Sequence, residues 1–456
     1  MAPLSSSIDK HKTNSQNYNA DITNFNTMKS SFGGIFRYTG ERGLFHPNIF
    51  EWLKVKRRDD DVGNYWRVHD KLYNLEDFIQ KHPGGQDWID FSRGTDITEA
   101  FESSHFVNVK KVQQTLAKYY VADAKEPRNS PYTFKENGFY KTLKRKAEPI
   151  IKEVGMEPSQ EATLIQDSLF VAYMILAVLA VWLDSMIFQV AAGTALGMLT
   201  VGAHNFFHKK DSWRIFYYDL SSLSSYEWRI SHAFSHHLFP NTILDYEVSL
   251  GEPMVEMLPI RPKSFLHKYI MPFVIDSLYG VYGLVQVAIR IISLLQGKQK
   301  VRLENALVIL ELVIFMRLAP TYLAGFQAWA IILTASSFWF AFVSNNSAHH
   351  HPLCFHDGDE SRPDPDFGLC QLDATASKTD WYHQNLFSVL TTFGDHPNHH
   401  LFPTVCHGKL KYLKGVVDET LQEFSEELLQ FTQWQLFVGT HQQLRRSVTH
   451  KFRKSQ

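Results

Sequence analysis

The sequence predicts a small α+β domain followed by an all-α, multipass membrane domain with four transmembrane helices in two hairpins. Three observations predict it. Between residues 66 and 123 the composition is that of a compact soluble domain, with a strand-like run at 65–68 and a helical run at 74–81. Four apolar stretches follow in two pairs, at about 165–183 and 186–207, then 304–319 and 322–343. The 22 histidines are clustered rather than scattered, with eleven of them in four short groups between 204 and 400.

Taken in order, residues 1–45 are rich in Ser, Asn, Thr and Lys with little apolar periodicity, which predicts a disordered tail. No apolar run of signal-peptide length lies in 1–21, so the N-terminus is expected in the cytosol. The α+β domain occupies 46–125. A basic linker, 126–160, carries Lys135, Lys141, Lys144, Arg145 and Lys146. The membrane domain takes up 161–456. Lys and Arg flank both hairpins on the outside, at Lys209, Lys210 and Arg214 after the first and at Lys298, Lys300 and Arg302 before the second, while the turns carry none. The positive-inside rule then leaves only the turns across the membrane, with both termini cytosolic. The run 265–295 is apolar but interrupted by His267, Lys268, Asp276 and Arg290, as in an interfacial helix. Residues 419–443 read as one amphipathic C-terminal helix.

Composition removes several classes. With 46 Lys+Arg against 47 Asp+Glu the formal charge is −1, which gives no field for nucleic-acid binding. Three cysteines, Cys354, Cys370 and Cys406, are too few for a disulfide framework and suit a reducing compartment.

Chemistry is concentrated in two places. In the soluble domain His82-Pro83-Gly84-Gly85 is followed by His105. A Pro-Gly-Gly turn lets backbone approach a flat ligand, and two imidazoles facing across an apolar slot can hold haem iron from both sides, leaving only electron transfer. Phe78, Phe91, Phe101 and Phe106 are candidate walls. In the membrane domain four clusters recur: His204 with His208; His232, His236 and His237; His349, His350 and His351 after Asn346; and His396, His399 and His400. The i, i+4 pairs 204/208 and 232/236, and the i, i+3, i+4 set at 396–400, are expected each to share a helix face, and both rings of an i, i+4 pair can then reach one metal. The string HHLFP occurs twice, at 236–240 and 399–403. Imidazole suits Zn, Cu, Fe and Ni alike, but eight box histidines and a ninth near Asn346 exceed one ion's needs, so two ions are implied. Glu-x-x-His occurs only at Glu102 to His105, and His-Glu-x-x-His is absent, which argues against a ferritin-like centre and a zinc protease.

On these motifs residues 64–123 resemble cytochrome b5, and 165–413 resemble the membrane fatty acid desaturase superfamily, in particular its members with an N-terminal cytochrome b5. The resemblance implies haem b on His82 and His105. It also implies a di-iron centre whose ligands fall on His204, His208, His232, His236, His237, His396, His399 and His400. By the family's Asn-Ser-x-x-His element, His350 would be the ninth ligand and Asn346 a water-mediated one, with His349 and His351 as the alternatives to His350 and otherwise residues that support the ligands or lie at the surface. The family reading implies an O₂-dependent desaturase of lipid or acyl-CoA chains in the endoplasmic reticulum membrane, with its metal sites cytosolic. No Gly-x-Gly-x-x-Gly is present, so a separate NAD(P)H-dependent cytochrome b5 reductase is expected to supply electrons. A b5-fused lipid hydroxylase, or a catalytically silent haem carrier, are the alternatives. Front-end desaturases with a fused b5 generally carry Gln where this chain has His396, whereas acyl-CoA desaturases carry His, which leaves regiochemistry open.

Overall fold

The computed structural model describes residues 29–42, 48–209 and 212–453. In the first part, strands Trp66–Val68, Lys71–Tyr73 and Tyr120–Asp123 form one antiparallel sheet in that order, with Trp66 opposite Tyr73 and Leu72 opposite Ala122. Trp66 is fully buried and its indole N–H donates to Ile89 O at 2.9 Å, pinning the sheet to helix Gln86–Phe91. The helical run expected at 74–81 is a 3₁₀ helix, Glu76–Lys81. Short helices Thr98–Ser104 and Val109–Ala117 complete this unit.

The expected tail and linker are both structured where described. Ser30 Oγ and the Ser31 N–H donate to the Asp357 carboxylate at 2.7 and 2.8 Å, Phe32 is buried, and Arg42 pairs with Glu252 at 3.0 Å. A buried aromatic and a buried ion pair repay the ordering cost that the polar composition alone would not. The rest of the predicted tail, 1–28 and 43–45, lies outside the described residues. Within the linker, helix Phe139–Val154 buries Phe139, Tyr140, Leu143, Ala147 and Ile151 completely. Its other face turns cations to the first unit, with Lys144 Nζ 3.0 Å and Lys141 Nζ 2.7 Å from the Glu102 carboxylate. This segment is a brace, and one apolar core runs from Trp66 and Phe106 through Tyr140 to Phe234, Leu238 and Phe402.

Four described helices are long and apolar enough to cross a membrane: Gln160–Trp182, Met186–Phe206, Met271–Leu295 and Tyr322–Asn345. The first two form the expected hairpin. Gly193 and Gly197 let the second approach the last, since a Cβ on Gly193 would lie 2.5 Å from Ile332 O. The expected third span differs. Helix Leu307–Leu318 packs beside Tyr322–Asn345 as a hairpin partner, but its 12 residues reach only ~18 Å at ~1.5 Å per residue. The segment 271–295, expected at the interface, has the length instead, though a 3₁₀ turn at Tyr279–Val281 interrupts it. Towards its two ends Asp276 meets His441 at 3.0 Å and Arg290 meets Glu227 at 3.0 Å, the polar anchoring of a segment that touches the soluble layer twice. The C-terminal region is two helices, Lys414–Glu423 and Gln433–Arg445, split by strand Leu429–Phe431, which pairs in parallel with Ala376–Lys378.

Candidate haem slot and metal centre

His82 leaves the 3₁₀ helix at its C-terminus and donates Nδ1–H to Gly85 O at 2.9 Å. Gly85 has φ +109°, and a Cβ on Gly84 would stand 2.9 Å from the His82 ring, so both glycines are sterically required. His105 follows helix Thr98–Ser104 directly and donates Nδ1–H to Phe101 O at 2.8 Å. Each ring is left with an Nε2 lone pair. The ring centres lie 6.5 Å apart, room for one metal ion with ~2 Å bonds to both nitrogens. Burial pushes His105 down to about 4, so at pH 7 it is in the neutral form that can act as a ligand. A cavity of about 1070 Å³ opens between them, lined by Phe78, Phe101 and Phe106 among others. These residues fit a bis-histidine haem. Phe91, expected as a wall, packs against Phe234 instead, with ring centres 5.3 Å apart.

The box histidines gather into two buried groups. One holds His204, His208, His232, His237 and His399; the other holds His236, His349, His396 and His400. Within each, the ligand atoms all lie within 4.8 Å of one another. In the first, His204 Nε2 is 3.3 Å from His208 Nε2 and 2.9 Å from both His232 Nε2 and His399 Nε2, and His232 Nε2 is 3.1 Å from His237 Nε2. In the second, His349 Nε2 is 3.0 Å from His236 Nε2 and 2.6 Å from His396 Nε2. Two nitrogens bound at ~2.1 Å to one ion at right angles would lie ~3 Å apart.

Outer partners aim these rings. His232 Nδ1–H donates to Glu247 at 3.0 Å, His236 Nδ1–H to Asp245 at 2.9 Å, His400 Nδ1–H to Gln371 Oε1 at 2.8 Å, and His349 Nδ1–H to Ala374 O at 2.8 Å. With Nδ1 donating outward, the inward Nε2 atoms of His236 and His349 are both acceptors. Two such acceptors at 3.0 Å repel unless a proton or a metal cation is shared between them, and the Asp245 carboxylate behind His236 favours positive charge there, so the donor set fits a metal pair. Burial, followed by the neighbouring imidazoles, holds His237, His349, His396, His399 and His400 well below the ordinary imidazole range, in the neutral ligand form.

Three sequence expectations change here. The 232/236 pair divides between the two all-histidine groups, because Arg229–His236 is a π-helix and its wider turn brings His232 together with His237, five residues on, while His236 turns to the other group; the two meet again only in a third cluster, with Glu247. The 396–400 set divides likewise, His399 joining the first group and His396 and His400 the second. Finally, His349 rather than His350 joins the second group. Helix Tyr322–Asn345 ends before this stretch, so helical periodicity does not carry into it, and the bond to Ala374 O turns the His349 ring inward. The His350 ring lies 6.3 Å from that of His356, and His351 stacks on Phe431 at 3.7 Å. Asn346, expected as an indirect ligand, is buried beside this stretch and donates Nδ2–H to Phe342 O at 2.9 Å. Glu247, Asp245 and Gln371 carry no spacing signal towards the histidines they orient, so residue patterns alone gave them no role.

The fatty acid desaturase family matches residues 170–431, and the cytochrome b5-like haem/steroid binding domain family matches 51–125. A "Cytochrome b5-related protein" of Drosophila melanogaster is 36% identical over 403 residues, covering 87% of this chain and 91% of that one. An "Acyl-lipid (8-3)-desaturase" of Physcomitrium patens is 25% identical, covering 81% and 85%. An "Acyl-lipid (8-3)-desaturase B" of Dictyostelium discoideum is 28% identical over about half of each chain, 52% and 54%. No solved structure matches.

Proposed function

The chain belongs to the fatty acid desaturase family, as an oxidoreductase fused to a cytochrome b5-like domain, and from that premise we propose that it desaturates membrane-lipid acyl chains at a di-iron centre held by nine histidines. Those ligands are His204, His208, His232, His237 and His399 for one ion and His236, His349, His396 and His400 for the other, with His82 and His105 as the axial ligands of haem b. The observation that carries this reading is the pair of buried imidazole groups whose Nε2 atoms face one another at 2.6–3.3 Å. When bound, the iron pair supplies O₂ activation for removing two hydrogens from an unactivated chain, and the haem supplies electrons one at a time.

The chain's own residues contribute position and exclusion of water. Glu247, Asp245, Gln371 and the Ala374 carbonyl fix ring tautomers and aim. All nine imidazoles are buried, which limits side reactions with solvent; burial favours the neutral ring, except at His236, where the Asp245 carboxylate outweighs it. The fused haem domain raises the local donor concentration to roughly millimolar. A separate NAD(P)H-dependent reductase of the b5 type recharges it, since the sequence offers no nicotinamide fingerprint. Charge flanks support cytosolic termini and metal sites in the endoplasmic reticulum membrane. The relatives' acyl-lipid names favour a lipid-linked chain over acyl-CoA.

Expression in a host of known lipid profile tests this, with His399→Ala/His400→Ala as the inactive control. New double bonds in lipid acyl chains, absent with the control, are expected. Hydroxylated chains would replace desaturation by hydroxylation, and an unchanged profile despite intact haem and iron would leave only an electron carrier.

A further inference from the structure

The cavity between His82 and His105 is not enclosed by the b5-like unit alone. Its lining continues onto Phe206, His208, Lys209, Phe234, His237 and Leu238, all beyond the 51–125 match. Independent contacts lock the two walls together. Phe91 meets Phe234 with ring centres 5.3 Å apart, and Phe106 meets Phe402 at 5.2 Å. Thr404 Oγ1 donates to Ser104 O at 3.5 Å. Ser104 and Phe106 flank His105, while Phe402 and Thr404 come just after His400. Both histidines on the far wall belong to the five-histidine group, and no member of the four-histidine group lines the cavity.

A haem presents an apolar plane with two carboxylates on one edge, so its seat needs apolar walls and a cation. Three cations line the cavity: Lys111, Lys209 and Arg214. Arg214 is already held in a two-point pair with Asp167 at 2.8 and 2.7 Å. Lys111 is exposed on helix Val109–Ala117. Lys209 is partly buried, donates to Asn205 Oδ1 at 3.2 Å, also meets the Cys406 thiol, and has no carboxylate in ion-pair reach among the described residues. We infer that the haem site is composite: Phe234 and Leu238 of the membrane half close its apolar side, and Lys209 receives a haem carboxylate. The haem is thereby held against the five-histidine group, and the metal-bearing half sets both how tightly it is retained and its potential. This rests on the reading of the slot as a haem site and not on desaturation.

The test uses the full-length, haem-loaded protein in detergent, with apomyoglobin as the acceptor that captures released haem and spectroelectrochemistry for the midpoint potential. Lys209→Met is expected to release haem about tenfold faster, the loss of one charge-assisted hydrogen bond, and to lower the midpoint, because a cation that favoured the ferrous state is gone. Phe234→Leu is expected to speed release with the Soret position unchanged. Phe234 also belongs to the core, so Lys209→Met decides if the leucine variant loses its fold. Release and midpoint both equal to wild type in Lys209→Met overturn the composite seat. A wild-type chain with no Soret band would overturn the haem reading of the slot itself, which is a different failure.

Discussion

His236 and His349 turn their Nε2 atoms towards one another across 3.0 Å because their Nδ1–H groups donate to Asp245 and to the Ala374 carbonyl. At the scale of single residues the outer partner therefore decides which atom faces the metal. Asp245→Asn keeps the shape but removes the charge that supports ring basicity, and is expected to weaken iron binding by about 10–100-fold, read by competition with a chelator. The choice between neighbours follows the same logic. His349→Ala removes a member of the four-histidine group and is expected to cut iron per chain by roughly half, whereas His350→Ala leaves it unchanged; elemental analysis of the two purified variants distinguishes them, and the reverse result would restore His350. In the sequence the choice falls on His350 through the family's Asn-Ser-x-x-His element, which counts residues but does not fix ring direction; the Ala374 carbonyl that orients His349 lies outside that element. His82 and His105 were legible for the opposite reason: a Pro-Gly-Gly turn is a local backbone requirement that needs no distant partner to be recognised.

At the scale of elements the π-helix Arg229–His236 and the helix Phe139–Val154 do the most to position chemistry. Spacing of i, i+4 assumes 3.6 residues per turn, and the wider π turn, which the sequence does not announce, regroups the box histidines between the ions. The brace helix was hidden by its charge: Lys141, Lys144, Arg145 and Lys146 look like a solvated linker until Glu102 is placed beneath two of them. Burial alone would raise the Glu102 carboxyl, but the hydrogen bond from His69 and the charges of Lys144 and Lys141 outweigh it and hold the group well below its ordinary 4.5. A depressed carboxyl contributes stability that is complete above that ordinary value and lost as pH falls from it towards the folded value. Acidification below about 4.5 is therefore expected to loosen the junction between the halves, seen as protease cleavage near residues 126–138 before general unfolding. Lys144→Met, which strips one partner from a buried pair, should cost roughly 3 kcal/mol and produce the same cleavage at neutral pH.

Across the whole molecule the two units behave as one body, because a single apolar core passes from Trp66 in the sheet through Tyr140 in the brace to Phe234 and Phe402 beside the histidine boxes. Composition divides the chain cleanly into soluble and membrane parts, and that division locates the two chemistries. It is silent on the surface between them, since Phe91, Phe106, Phe234 and Phe402 each read as ordinary core of their own half until the halves are packed. A shared core predicts shared stability. Metal ions that bind only the folded state stabilise it by an amount that grows with the logarithm of their free concentration relative to Kd, and that free energy spreads to every part that unfolds with the site. Stripping iron with a chelator, with haem left in place, is therefore expected to lower the temperature at which the Soret band is lost by as much as it lowers the midpoint of tryptophan fluorescence. Were the halves independent, the haem signal would melt at an unchanged temperature while only the membrane half shifted, and the two probes would separate into two transitions.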